Sequence, residues 1–356
     1  MTATATTVRR RVHRFLDLLA TPLVPADYLD LINPLRPGAD LRGRIVARRT
    51  ETADAVTIEI RPGADWLGHE PGQHVRVGVD VNGVRHHRTY SLTSAPGEPT
   101  ITITPTRIAG GIVSTHLVER SRPGDLLQLS QATGDFRVPA EAPERVLLIS
   151  AGSGITPVLG MLRAGLTEVT DVVLVHCDRT AADMAGGAEV RALAEAGRLR
   201  LIERPTASAG RLTLAELGTL VGDWAERETW ACGPAGLLDT LTAHWNEHGV
   251  GDQLHVERFT PPPRPAVGEG GAVTFTETGI EVEAPTGQSL LEAGEAAGVL
   301  MPSGCRMGIC HRCVSSLSSG SVRDLRTGEL RTAPDGDPLS IQTCVSAAAG
   351  PCHIER

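Results

Sequence analysis

The stretch Pro302-Ser303-Gly304-Cys305-Arg306-Met307-Gly308-Ile309-Cys310-His311-Arg312-Cys313, followed 31 positions on by Cys344, sets four thiols in the order C-x4-C-x2-C…C. That spacing is the one by which four thiolates hold a two-iron, two-sulfur cluster. Gly304 and Gly308 let the loop curl close and turn backbone N–H groups toward sulfur. A cluster held by four thiolates is anionic, and the guanidinium groups of Arg306 and Arg312 offer balance. Removing that balance lowers the reduction potential.

Other readings of these cysteines fit less well. Zinc ribbons pair one C-x2-C with a second, whereas here a lone Cys344 is followed by Cys352 eight positions later. A disulfide framework sits badly with seven cysteines and no signal-peptide pattern. The remaining three, Cys177, Cys232 and Cys352, default to small buried apolar groups.

Working outward, residues 260–271 (TPPPRPAVGEGG) form a linker, stiff at first and flexible after. A second break lies near Pro139 to Glu144, where short β-rich segments give way to alternating strands and helices. With 356 residues the prior is two or three domains. The divisions are an N-terminal extension (1–37), an all-β domain (38–142), an α/β domain (143–259), the linker, and the cysteine domain (272–356).

Composition narrows the function classes. Net charge is −8, and residues 268–356 carry eleven acidic side chains against six arginines, so an acidic face there suits a basic protein partner and argues against nucleic acid. No lysine occurs, which excludes Schiff-base chemistry and a P-loop. No stretch approaches the ~20 consecutive apolar residues of a membrane span, so a cytoplasmic protein without a transmembrane segment is expected.

In the all-β region, Leu41–Arg49, Ala55–Arg61, His74–Asp80, Val84–Thr93 and Thr100–Thr106 read as strands, with Asn82-Gly83 a hairpin turn, and their spacing predicts a barrel. Arg88, Tyr90 and Ser91 lie on one strand; period two puts Arg88 and Tyr90 on one face and Ser91 on the other. Neighbouring His86 and His87 read as exposed. Farther on, Gly110, Gly111, Ile112, Val113 and Ser114 open a helix and form a ready anion site. Alone, a strand tyrosine is usually packing and a Gly-Gly pair usually a cap.

The segment 145–259 alternates in βα fashion. A buried strand, Arg145–Ser150, runs into Gly152, Ser153, Gly154, Ile155, Thr156 and Pro157, with Pro157 at the first helical position. These glycines let a pyrophosphate approach a helix N-terminus, although the third glycine of the dinucleotide fingerprint is missing. A strand from Asp171 ends at Asp178 and Arg179, and one from Glu228 ends at Cys232, Gly233 and Pro234. Strand C-terminal ends are where doubly wound sheets bind ligands.

R-x-Y-S, G-G-x-x-S, G-x-G-I-T-P, C-G-P and a final Glu257-Arg258-Phe259, in this order and followed by the cysteine domain, resemble the ferredoxin–NADP reductase superfamily with a fused plant-type ferredoxin. The loop Cys-Arg-Met-Gly-Ile-Cys and the run Val322 to Glu329 look most like reductases that serve diiron fatty acyl desaturases in actinobacteria. The resemblance implies a multidomain α+β and α/β protein: a β-barrel flavin domain, a doubly wound parallel-sheet nucleotide domain and a β-grasp ferredoxin domain.

It also implies residue roles. Arg88 would hold a flavin phosphate, Tyr90 would lie against the isoalloxazine and Ser91 would hydrogen-bond flavin N5, while Gly111 to Ser114 would grip the pyrophosphate. Gly152 to Pro157, with Gly233 and Pro234, would bind the nicotinamide nucleotide beside Cys232. Phe259 would cover the opposite flavin face. Cys305, Cys310, Cys313 and Cys344 would carry the 2Fe-2S cluster.

Electron counting orders these carriers. Nicotinamide gives two electrons together and the cluster takes one, so a flavin must divide the pair. FAD is preferred over FMN from the desaturase-reductase resemblance. Arg179 favours NADPH by pairing with a 2′-phosphate, whereas Asp178 favours NADH by binding a ribose diol. The partner is an electron-accepting oxygenase or desaturase; a membrane-bound one would hold the chain peripherally at a membrane. Alternatives are the NADH-dependent reductase of a Rieske ring-hydroxylating system and a non-enzymatic iron–sulfur redox sensor. Residues 13–35 are apolar enough for a membrane-surface segment, but Pro22 and Pro25 favour a cap on the barrel.

Overall fold

The computed structural model describes residues 25–81, 84–139, 141–169, 171–259, 270–304, 306, 308, 311–334 and 336–356. The linker at 260–269, Cys305 and Cys310 lie outside these.

Strands β1 (Arg42–Thr50), β2 (Val56–Pro62), β3 (His74–Val81), β4 (Val84–Ser91), β5 (Ile101–Ile103) and β6 (Leu126–Leu129) form an antiparallel sheet in the order β4-β3-β6-β1-β2-β5. Its interior is set by β-branched residues at alternate positions: Val75, Val77 and Val79 on β3, Ile58 and Ile60 on β2, Ile101 and Ile103 on β5. Burial of each is worth about 1.5–3 kcal/mol. β5 is shorter than the expected Thr100–Thr106. Pro105 has no N–H to give a ladder, and Thr104 turns inward to a hydroxyl pair with Thr57 at 2.8 Å.

The second sheet is parallel throughout, in the order β11-β10-β7-β8-β9, from β7 (Arg145–Ala151), β8 (Asp171–Asp178), β9 (Arg200–Pro205), β10 (Glu228–Cys232) and β11 (Leu254–Glu257). Successive β7 residues feed different cores. Val146 and Leu148 pack with Ile155, Val158 and Trp230 on one face, Leu147 and Ile149 with Leu238, Leu241 and Trp245 on the other. This explains the uninterrupted apolar run of the sequence, since both faces are covered.

In the third sheet β12 (Gly271–Phe275) pairs parallel with β17 (Ser346–Ile354) and antiparallel with β13 (Ile280–Ala284). β14 (Val314–Asp324) then joins β17 to β15 (Leu330–Thr332) and to β16 (Leu339–Gln342). Helix Leu290–Ala296 is started by a Ser289/Glu292 capping box and buries Leu290, Leu291 and Ala293. Cys313 and Cys344 belong to the core beneath it. The barrel, the doubly wound sheet and this β-grasp arrangement match the expected fold class.

The N-terminal extension enters the description as helix Pro25–Ile32. It is tied down by Asp30 to Arg36 at 2.6 Å, and the turn after it by Ala64 N–H to the Leu35 carbonyl at 3.0 Å. Leu31 and Ile32 face outward, 74% and 83% exposed, so the described end of the extension is attached to the barrel without sealing its apolar side chains.

Candidate functional site

At the barrel's end, β4 carries Arg88, Tyr90 and Ser91, with Ser91 paired to His74 and Tyr90 to Val75 of β3. Ser91 is 4% exposed, and its Oγ has no hydrogen-bond partner. A buried hydroxyl left unpaired costs about 1–3 kcal/mol, so its place is one where a ligand atom completes it. The hydroxyl borders a cavity of about 590 Å³ whose wall also includes Phe259, Glu257, His74 and Thr133. Phe259 is 39% exposed beside it.

One contact of this cavity joins a residue that the sequence motifs marked to one that they did not. The Glu257 carboxylate is 3.3 Å from His74 Nδ1, and its second oxygen is buried without a partner. Glu257 had a signal, two positions before Phe259; His74, merely the first residue of a strand, had none. Burial, then the Glu257 charge, pushes the Cys232 thiol well above its ordinary pKa. Cys232 is 0% exposed, so its thiol is neutral and enclosed rather than presented to the cavity.

Burial pushes the Tyr90 phenol up, and Arg88 only partly draws it back. Arg88 is itself pulled below its ordinary value by burial and then by the charge of Arg306. The Arg306 guanidinium therefore lies within electrostatic reach of β4. His87 corrects the reading of an exposed strand histidine: it is 8% exposed, with Nε2 2.9 Å from Gln128 Oε1. Gly78, opposite it across the ladder, makes the room, since a Cβ there would come 2.8 Å from His87 Nε2.

Gly111 is the N-cap of the turn Ile112–Thr115, with Val113 and Ser114 buried and Ile112 47% exposed. Ser114 Oγ accepts from the Ile108 N–H at 3.2 Å and closes this turn from inside.

At the ends of β7, β8 and β10 a cavity of about 460 Å³ is lined by Gly152, Asp178, Arg179, Arg211 and Pro234 among others. Helix Ile155–Arg163 begins at Gly154, so Pro157 is its third residue rather than its first; its missing N–H still falls in the first turn, where no carbonyl waits for it. Gly154 is indispensable sterically: a Cβ there would lie 2.1 Å from the Cys232 carbonyl oxygen. Thr156 Oγ1 donates to the Ser153 carbonyl at 2.9 Å, fixing the turn. Gly233 passes close to Ala151, and Pro234 caps helix Ala235–Glu247.

Asp178 and Arg179 both reach this cavity's wall. Arg179 is 72% exposed, 3.5 Å from Asp183 and 3.9 Å from Asp54. Arg211, which no motif marked, adds a second guanidinium to the lining.

In the third domain the Sγ atoms of Cys313 and Cys344 are 3.1 Å apart and buried, close enough to ligate one cluster. The other two expected ligands, Cys305 and Cys310, lie outside the described residues. Arg306 is committed to Glu295 at 2.5 Å. Arg326 is a further cation of this site: Asp324 holds it at 2.7 Å, it donates to the Gly308 carbonyl at 3.1 Å, and its pKa is raised by Asp324 and then by Cys344 and Cys313.

The donor sets fit the groups the resemblance implies: an orphan hydroxyl facing a cavity, a glycine turn at a helix start, and paired buried sulfurs with a cation. Comparison with known proteins agrees. The sequence matches an oxidoreductase FAD-binding domain over residues 46–138, an oxidoreductase NAD-binding domain over 148–241 and a 2Fe-2S iron-sulfur cluster binding domain over 273–349. It is 46% identical over 345 residues, covering 95% of this chain and 90% of the relative, to a Mycobacterium tuberculosis protein named NADPH oxidoreductase. It is 30% identical over 302 residues, 78% of this chain and 85% of the relative, to the ferredoxin reductase component of 3-ketosteroid-9-alpha-monooxygenase from Mycolicibacterium smegmatis. In fold it is similar to phthalate dioxygenase reductase, with a TM-score of 0.63 and 24% identity over 88% of this chain and 97% of that one.

Proposed function

We propose, from the premise that this chain belongs to the ferredoxin–NADP reductase family and joins an FAD-binding, an NAD-binding and a 2Fe-2S domain, that it supplies single electrons to an oxygenase-type metalloenzyme. It is an NAD(P)H-dependent oxidoreductase using FAD and a 2Fe-2S cluster. When bound, the flavin takes a hydride pair that the cluster passes on one electron at a time.

The observation that carries this reading is the Ser91 hydroxyl, buried and unpartnered in the same cavity as Phe259. Ser91 would hydrogen-bond the flavin at the atom that receives hydride, and Phe259 would cover the opposite ring face. Tyr90 packs against the ring and Arg88 offsets phosphate charge. Gly111 to Ser114 give backbone N–H groups to the pyrophosphate. Gly152 to Pro157, with Gly233 and Pro234, bind the nucleotide beside the enclosed Cys232. Cys305, Cys310, Cys313 and Cys344 ligate the cluster.

NADPH is the preferred donor, because Arg179 and Arg211 line the cavity at the strand ends and the M. tuberculosis relative is named for NADPH. For the acceptor, relatives named as reductase components of monooxygenases support an oxygenase partner. The narrower reading, a diiron fatty acyl desaturase, rests on the cluster-loop resemblance. Among the described residues no helix is long and apolar enough to cross a membrane; we place the chain in the cytoplasm, at a membrane only through its partner.

The test is anaerobic titration of the purified protein with NADPH and with NADH, following flavin and cluster absorbance together. Uptake of about three electrons per chain, two in flavin and one in the cluster, with NADPH the more efficient donor, is expected. Bleaching of flavin alone would refute the relay.

A further inference from the structure

A buried row of polar side chains runs from the core of the parallel sheet to the nucleotide cavity. Ser150 on β7 and His176 on β8 are register partners, with Ser150 Oγ 2.8 Å from His176 Nδ1. On the other side of the ring, Nε2 is 3.5 Å from Asp178 Oδ2 and has no nearer partner. A Ser–His–Asp row suggests a nucleophile. Here the order of exposure is wrong for that: Ser150 is 0% and His176 2% exposed, and Asp178 is the member that meets the cavity.

The row therefore acts outward, on Asp178. The Asp178 carboxylate is bonded at Oδ1 by the Arg179 backbone N–H, 2.8 Å away, and at Oδ2 it faces the buried His176 Nε2 at 3.5 Å, a close approach without a hydrogen bond. Ser150 sets the ring, because a hydroxyl donating to Nδ1 leaves the proton on Nε2, facing the carboxylate. Burial alone would raise the Asp178 pKa; the nearby His176 ring and the Arg179 backbone N–H hold it below its ordinary value, so the group stays an anion. A free anion at this point would accept hydrogen bonds from a ribose diol and repel a 2′-phosphate. One held back against β8 leaves Arg179 and Arg211 to set the sign of the cavity.

We propose that His176 is a positioning residue for nucleotide choice: by holding the Asp178 carboxylate against the sheet it favours a dinucleotide bearing a 2′-phosphate over one with a free ribose diol. This rests on the NADPH reading above. The distinction from a merely structural role is that the effect falls on one nucleotide and runs through one carboxylate.

The experiment measures Kd for NADP+ and NAD+ by calorimetry, and KM for NADPH and NADH, in the holoenzyme and in His176→Leu, His176→Gln, Asp178→Asn and the His176→Leu/Asp178→Asn double variant. His176→Leu is expected to weaken NADP+ about tenfold and to leave NAD+ unchanged or bound more tightly, with kcat at saturating NADPH preserved. The double variant regains most of that loss, and His176→Gln, which keeps an N–H, stays near the parent ratio. Equal weakening of both nucleotides, or no recovery in the double variant, overturns the proposal. Should His176→Leu fail to fold, Asp178→Asn decides: a change in NADP+ affinity under about twofold supports a carboxylate already held away, and a roughly tenfold tightening overturns it. A parent protein that binds NAD+ more tightly than NADP+ overturns the NADPH reading and this inference together; NADP+ preference with equal changes overturns this inference alone.

Discussion

The cluster loop and the nucleotide turn, both short and glycine-containing, encode their chemistry in opposite ways. In the cluster domain the information is in atom identity: Cys313 and Cys344 bring two sulfurs to 3.1 Å, and what matters is that they are sulfur. In the turn Gly152 to Pro157 the information is in the absence of atoms. Gly154 is required because any Cβ would meet the Cys232 carbonyl at 2.1 Å, joining the ends of β7 and β10. A change of element with almost no change of shape should thus disable the first region, and a change of shape with almost no change of chemistry the second.

The largest expected effect tests the first half. Cys313→Ser replaces one buried atom, and the ligand it removes abolishes the 2Fe-2S cluster, because thiolate is the ligand such clusters take. Cluster absorbance should vanish and cytochrome c reduction with it, while NADPH-driven ferricyanide reduction through the flavin persists. Equal loss of both activities would put the cluster ahead of the ferricyanide-reducing step and break the ordering of carriers.

Gly154→Ala tests the second half. One added methyl against backbone is costly where neither partner is a flexible side-chain end; a loss of about 3 kcal/mol in urea denaturation is expected. Nucleotide binding should fall in the protein that remains folded. Exposed Ser153, its neighbour, is the control, and Ser153→Ala should leave stability within about 0.5 kcal/mol. Similar losses at both positions would mean that the turn is generally fragile rather than sterically specified.

The same contrast explains what could be read in the sequence. Cysteine spacing is one-dimensional and survives in the chain order, and so do the strand residues Arg88, Tyr90 and Ser91 and the two-sided apolar run of β7. The cavity-bordering residues that carry no motif were not legible, because long-range register decides them. His74 meets Glu257 across 183 positions, and Ser150 meets His176 only because β7 and β8 pair as they do. His87 was misread as exposed for the same reason: nothing local in a two-histidine strand reveals that Gly78 and Gln128 will enclose one of them. The helix start was displaced because proline is tolerated throughout the first turn.

Charge around the cluster lies between the two modes, and it offers the smallest and most discriminating effect. Sequence proximity singled out Arg306 and Arg312, but Arg306 is paired with Glu295, and Arg326, thirteen or more positions from either thiol in the chain, is a guanidinium whose charge couples to Cys344 and Cys313. Arg326 is locked by Asp324 at 2.7 Å and bonded to the Gly308 carbonyl at 3.1 Å, so its charge cannot drift from the loop. Arg326→Gln removes that charge while leaving all four thiols in place. The reduced cluster, carrying one more negative charge than the oxidised one, loses more stabilisation than the oxidised one does. The midpoint potential should therefore fall by roughly 40 mV, about 1 kcal/mol for one electron, in a spectroelectrochemical titration. Arg306→Gln, which leaves the Arg326–Asp324 pair and its bond to the Gly308 carbonyl in place, should move it by less than half as much. Reversal of that order would return the balance to residues adjacent in sequence, and would make the cluster domain legible from its loop alone.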